Sequence, residues 1–155
     1  MVIPVSLTDA EIYAKNCDDL LRYAAILVGL DEAPDVVSTV VVRVLSKGTL
    51  AGLREARPYL FRAVLNEARS VLRRRRPTWP LTSREIAEEP PELRPEVAQE
   101  VLALPCQQRA ATYLIYWQDL TVAEAARLMG TTPGTVKRYV HLARKRLRGA
   151  LDEYA

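Results

Sequence analysis

The sequence predicts an all-α chain of two small helical domains joined by a linker rich in proline and glutamate. Three observations carry that expectation. Apolar residues recur at helical spacing on both sides of the middle of the chain, and strand-like alternation bounded by hairpin turns is absent. Five of the ten prolines stand at 77, 80, 90, 91 and 95, and prolines so placed exclude one long helix there. The same stretch, 77–103, holds six glutamates against Arg84 and Arg94, a net charge of −4 in a chain whose total is +3. The first domain is therefore expected over 1–76, the linker over 77–95 and the second domain over 96–155. At 155 residues, either lobe arrangement leaves enough chain to bury a core.

Taken in order, "DDLLRYAAILVGL" reads as a helix from its apolar period. In "DVVSTVVVRVL" the β-branched residues favour a strand by propensity. Their spacing favours a helix: Val36, Val37, Val40, Val41, Val44 and Leu45 share one face, with Ser38, Thr39 and Arg43 on the other. In "RPYLFRAVLNEARSVLRRRR", Leu60, Phe61, Val64, Ala68, Val71 and Leu72 gather on one side. Arg62, Asn66, Arg69, Arg73 and Arg76 share the opposite face, whereas Arg74 and Arg75 read as a basic tail. Beyond the linker, "LTVAEAARLMG" is a short amphipathic helix with Thr121 as its cap, Glu124 as capping-box partner and Gly130 as its stop. Thr132 and Pro133 then fit an N-cap and a first helical residue. In the helix that follows, Val136, Tyr139, Val140, Ala143 and Leu147 form a dry face, while Lys137, Arg138, His141, Arg144, Lys145 and Arg148 form a cationic one. Helix, glycine-bearing turn and cationic helix make a helix-turn-helix.

These charges point to a ligand. A solvated helix face mixes signs, but Gly134–Arg148 carries six cations and no acid, the footprint of nucleic-acid binding. On the earlier helix, Asn66 lies amid arginines: an amide can bond a base edge while guanidinium groups hold phosphate. Other classes find little to build on. Cys17 and Cys106 are far apart, which leaves no disulfide framework or zinc spacing, and both read as buried small hydrophobes. With one histidine and no cluster of nucleophile, base and oxyanion donor, no catalytic residue, metal site or cofactor is expected. No apolar run approaches bilayer length and "MVIPVSLTDAEIY" lacks a signal pattern, so a cytoplasmic location is expected.

The residues resemble those of a family. "LLRYAAILVG", "DEAPDVVSTVVVRVL" and "RPYLFRAVLNEARSVLRRRR" are similar to successive parts of region two of the group IV, or extracytoplasmic function, sigma factors. "LPCQQRAATYLIYWQDLTVAEAARLMGTTPGTVKRYVHLARKRLRGAL" is similar to nearly all of their region four. The resemblance implies a promoter-recognition subunit of bacterial RNA polymerase, not an enzyme in itself, whose partners are core polymerase and promoter DNA, with an anti-sigma factor as a candidate third. Region four would read the upstream element with Lys137, Arg138 and His141 nearest the bases, and with Thr132, Thr135, Arg144 and Lys145 on phosphate. Region two would hold the opening downstream element with Asn66 and Tyr59, the latter replacing a common tryptophan, supported by Arg62, Arg69 and Arg73. The polymerase-binding helix departs from the family. Asp35 is retained, but Pro34 stands where an acid is common, and Ser38, Thr39 and Val41 replace a glutamine, an acid and an aromatic residue. The face made by Ser38, Thr39, Val42 and Arg43 is accordingly less acidic than the family's. Two other readings follow from the residues: a sigma-derived DNA-binding regulator that does not engage polymerase, and a helical module whose basic faces bind an acidic protein.

Overall fold

The computed structural model describes residues 6–75 and 95–153, so most of the expected linker, and Arg76 with it, lies outside the described residues. Seven helices are present and no strand among the described residues: α1 (Asp9–Val28), α2 (Ala33–Lys47), α3 (Ala56–Arg74), α4 (Pro95–Leu102), α5 (Cys106–Tyr116), α6 (Val122–Met129) and α7 (Pro133–Glu153). The first three form an N-terminal lobe in which each packs on the other two, and α5, α6 and α7 do the same in the C-terminal lobe, with α4 laid against α7.

Local chemistry sets the helix ends. Thr8 and Glu11 close a capping box on α1: the Glu11 N–H donates to the Thr8 hydroxyl at 3.2 Å and the Thr8 N–H donates to the Glu11 carboxylate at 2.7 Å. The predicted box on α6 is formed in the same way by Thr121 and Glu124, at 3.1 and 2.8 Å. Gly130 ends α6 with φ at +69°, in the left-handed region. Within the N-terminal lobe, Arg57 at the start of α3 reaches α1, donating to Asn16 at 3.2 Å and to Asp19 at 2.9 Å, and lies over the Phe61 ring. Asn16 is itself buried, and its amide donates to the Ile12 carbonyl.

The "DVVSTVVVRVL" segment is helical, as its spacing requires. Its buried stripe is narrower than expected, because Val36, Val37, Val40 and Val44 are buried while Val41 is half-buried and Leu45 is exposed. On α3 the stripe also includes Leu65, which the sequence reading left out. Two further expectations are corrected. Arg74 and Arg75 are not a loose tail: Arg74 pairs with Glu67, and Arg75 bonds the Glu32 carboxylate and donates to the Val28 carbonyl at 2.8 Å, at the carboxyl end of α1. Neither cysteine is fully buried; Cys17 and Cys106 are both half-buried thiols.

The two lobes do not stand apart. One hydrophobic core runs from Leu20, Leu27 and Phe61 through to Ala110, Leu114, Leu128 and Val136. A column of aromatic rings crosses the seam, with Phe61 and Tyr23 at 4.9 Å, Tyr23 and Tyr113 at 6.1 Å, and Tyr113 and Trp117 at 6.3 Å between centroids.

Candidate nucleic-acid interface

The C-terminal part of the site begins at the turn between α6 and α7. The Thr132 hydroxyl accepts the Thr135 N–H at 3.2 Å, so Thr132 is the N-cap of α7, and the two hydroxyls bond each other at 2.9 Å. Val136 and Ala143 anchor the helix in the core. That anchoring turns Lys137, Arg138, His141, Arg144 and Lys145 outward, and all five are exposed. Among the described residues, Arg144 is held by another side chain: its Nε donates to the Tyr116 hydroxyl at 2.5 Å, and its guanidinium lies 5.4 Å from the centre of that ring. Thr135 is half-buried and Thr132 exposed. Nothing in the sequence marked Tyr116 as the partner of Arg144.

The N-terminal part lies on α3. Burial of Leu60, Phe61, Val64 and Ala68 directs Arg62, Asn66, Arg69 and Arg73 to the exposed side, where they form one continuous row. Arg73 donates to Ser70 on its own helix. Tyr59 is exposed at the edge of a groove of about 380 Å³ between the end of α2 and the start of α3, lined also by Arg43, Lys47, Thr49, Leu53 and Ala63. That groove was not foreseen, because it depends on how the 48–55 loop brings the end of α2 beside the start of α3.

The third expected surface is on α2. Asp35, Ser38, Thr39, Val42 and Arg43 are all exposed along one side, and Val42 is 65% exposed, the most open of the large apolar residues there. Arg43 pairs with Glu67 of α3 at 3.3 Å. The structure thus gives three exposed surfaces, on α2, α3 and α7, and does not merge them into one site.

One structural feature has no signal in helical spacing. Arg109, only 5% exposed, donates from α5 to the Ile26 carbonyl at 3.1 Å and the Leu27 carbonyl at 2.9 Å on α1, and to the Leu104 carbonyl of its own lobe at 2.8 Å. Burial pulls its pKa down, opposed by the neighbouring Cys106. Burial likewise pushes the Cys106 thiol up, against the opposing charges of Arg109 and Arg69. At the seam's rim, Arg127 of α6 bonds Glu55, and that hydrogen bond with its charge holds the Glu55 carboxyl below the usual carboxylate range.

The fold and these faces define a class: a two-lobed, all-helical protein with a helix-turn-helix in its second lobe. Comparison makes the class particular. Residues 95–147, in the C-terminal lobe, match the family described as "Sigma-70, region 4". The sigma factor RpoE, solved in complex with the anti-sigma factor NepR from Bartonella quintana, is similar over 90% of this chain and 94% of its own, at 24% identity and a TM-score of 0.63. CnrH, solved in complex with the cytosolic domain of CnrY, is similar over 95% of this chain and 89% of its own, also at 24% identity, with a TM-score of 0.67. No curated protein sequence matches the chain. The C-terminal lobe is thus similar in sequence to sigma-70 region 4, and the chain shares the fold of these two solved structures over nearly its whole length. No helix among the described residues is long and apolar enough to cross a membrane, and no group of three or more metal-ligating side chains is found among them.

Proposed function

We propose that this chain is a sigma factor of the extracytoplasmic function group, which binds bacterial core RNA polymerase and directs transcription initiation. The observation that carries the reading is the pair of exposed cationic faces, one on α3 around Asn66 and one on α7 without an acid from Gly134 to Arg148. The α7 helix lies in the major groove of the upstream element. There Lys137, Arg138 and His141 meet base edges, while Arg144, Lys145 and the threonines at the helix N-terminus hold phosphate. The α3 face takes the downstream element as it opens. Extruding a base costs a few kcal/mol of stacking. Asn66 returns part of that through hydrogen bonds, Tyr59 offers a ring for the unstacked base, and Arg62, Arg69 and Arg73 hold the strand's backbone.

The chain supplies recognition rather than bond chemistry, and nucleotidyl transfer stays with the polymerase. Two modest anchors carried on one enzyme gain from effective concentration, which lets small domains select a promoter. An anti-sigma factor is a further proposed partner, since RpoE is solved with one. The face of α2 supports a second reading, a DNA-binding regulator that does not engage polymerase, because Asp35 is the only acid among its five exposed candidates. Run-off transcription with core polymerase from the native host separates the two. The templates are genomic fragments selected by binding to this protein. Start sites that depend on the chain are expected; DNA binding with neither start sites nor core association overturns the proposal in favour of the regulator.

A further inference from the structure

Tyr116 is the last residue of α5, and its ring is 45% exposed. Its neighbours Tyr113 and Leu114 are buried, and α5 lies along α7, so the ring is presented beside the cationic helix by packing it does not itself supply. There it meets Arg144 in two ways. The Arg144 Nε–H donates to the Tyr116 hydroxyl at 2.5 Å, and the guanidinium lies 5.4 Å from the ring centre. A guanidinium has five N–H donors, and Tyr116 takes the one on Nε, which leaves the four on the terminal nitrogens. Those form the flat fork that fits two oxygens of a phosphate.

The partner's chemistry matters as much as its position. A phenol hydroxyl is neutral, so it holds Arg144 in place without cancelling its charge. Among the described residues no carboxylate pairs with Arg144. Arg74 and Arg75 differ on this point, because their partners Glu67 and Glu32 are acids. An exposed arginine ordinarily samples many rotamers and gives up that freedom when it grips a ligand. Arg144 has given up part of it beforehand, in return for a hydrogen bond and a ring contact. Phosphates recur along a duplex whatever its sequence, so a contact fixed in advance sets the register in which Lys137, Arg138 and His141 meet base edges.

We propose that Tyr116 is a positioning residue of the DNA interface: it holds Arg144 as a pre-set phosphate clamp and extends the recognition surface from α7 to the end of α5. That role rests on the DNA-binding function proposed above; the Tyr116–Arg144 pair in the free chain does not. The competing account makes the same contact a brace between α5 and α7. A brace acts on the stability of the fold, whereas a positioning residue acts on DNA and only through Arg144.

A salt series on the full chain separates the two accounts. The probes are genomic duplexes selected by binding to this protein and shuffled duplexes of equal length. Tyr116→Phe keeps the ring and loses the hydroxyl. It is expected to weaken binding by roughly 2- to 10-fold, the cost of ordering one long side chain, alike on both sets of duplexes. Its slope of log affinity against log salt should stay as in the wild type, since Arg144 still reaches a phosphate. Arg144→Ala should lower that slope by about 0.9, one phosphate fewer, and in its background Tyr116→Phe should have no further effect. Arg144→Lys keeps the charge and the slope, but one ammonium lacks the fork that serves hydroxyl and phosphate together, so it should bind no better than Tyr116→Phe. Without DNA, the Arg144 Nε–H should exchange slowly with water in NMR spectra of the wild type and faster in Tyr116→Phe. The urea midpoint should be the same in both, as for an ordinary surface change. Wild-type affinity in Tyr116→Phe, an equal loss in the Arg144→Ala background, a lowered urea midpoint that accounts for the weaker binding, or unchanged Nε–H exchange overturns the assignment. A wild-type chain that binds no duplex overturns the DNA-binding reading and this role with it, whereas tight wild-type binding matched by Tyr116→Phe overturns this role alone.

Discussion

Replacing Arg109 with methionine tests how much of the fold depends on one buried cation. The substitution keeps much of the side chain's length and removes its donors, which strands the carbonyls of Ile26, Leu27 and Leu104. A buried acceptor left without a partner costs about 1–3 kcal/mol, and a cation at a helix carboxyl end contributes up to ~2 kcal/mol when partly buried. Against these stands the recovered desolvation of the guanidinium, which burial already disfavours. Its Nε has no hydrogen-bond partner among the described residues, so that donor is no loss. The balance is a destabilisation of about 3–5 kcal/mol, the usual result of breaking a buried charged contact on one side. Urea denaturation followed by circular dichroism measures it. The wild-type chain should unfold in one transition, because its lobes share a core; Arg109→Met should lower the midpoint and separate the lobes into two transitions. Arg109→Lys should fall between, since a single ammonium cannot fork across carbonyls on both lobes. A loss under about 1 kcal/mol, within the range of ordinary surface changes and slightly more, would refute the account of Arg109 as the tie between lobes.

Four other predictions rest on separate observations. Thr121→Ala removes the hydroxyl of the α6 capping box and should cost about 1 kcal/mol in the same denaturation assay, with Thr121→Ser restoring most of it. The Glu55 carboxyl should titrate below the usual carboxylate range in an NMR titration and return to it in Arg127→Gln, because the hydrogen bond from Arg127 is the leading cause of its lowered pKa. The sign follows: the attraction is complete above the ordinary carboxylate pKa and fades as pH falls through the lowered one, so an unmoved midpoint in Arg127→Gln would contradict the ion pair. On DNA, Arg138→Ala or His141→Ala should change the preference between sequences by about 1–3 kcal/mol, whereas Arg144→Ala should weaken all sequences alike, as competition binding would report. Affinity should also fall by roughly 10³- to 10⁵-fold between 50 and 200 mM salt if six to ten phosphates are contacted.

The elements were legible in the sequence where a short-range rule applied. Val36, Val37, Val40 and Val44 are buried on one side of α2 because the 3.6-residue period overrides β-branched propensity once a core is available. Thr121, Glu124 and Gly130 form their cap and stop because each needs only neighbours three or four residues away. The outward direction of Arg62, Asn66 and Arg69 was readable for the same reason. Leu45 shows the limit: it continues the helical period but is exposed, because the period alone does not say how far a neighbouring helix covers it. The groove beside Tyr59 and the seam between the lobes depend on loop path and docking, which no local spacing encodes.

Arginine makes the same point more sharply, because in the sequence its residues look interchangeable. Arg57, Arg75 and Arg109 have their guanidinium groups on acceptors of α1 and the turn that follows it: Asn16 and Asp19, Val28 and Glu32, and Ile26 and Leu27. They converge on one helix from three places in the chain, two of them ending at its carboxyl terminus, where positive charge is favoured. Arg62 and Arg69, about one and three turns along α3 from Arg57, are exposed. The difference lies in what stands opposite each side chain, not in the residue or its local neighbours. A cationic run is therefore evidence for a nucleic-acid face only after its members with internal acceptors are removed. On that criterion the "RRRR" at the end of α3 loses Arg74 and Arg75, while Lys137, Arg138 and His141 on α7 stay open to a ligand.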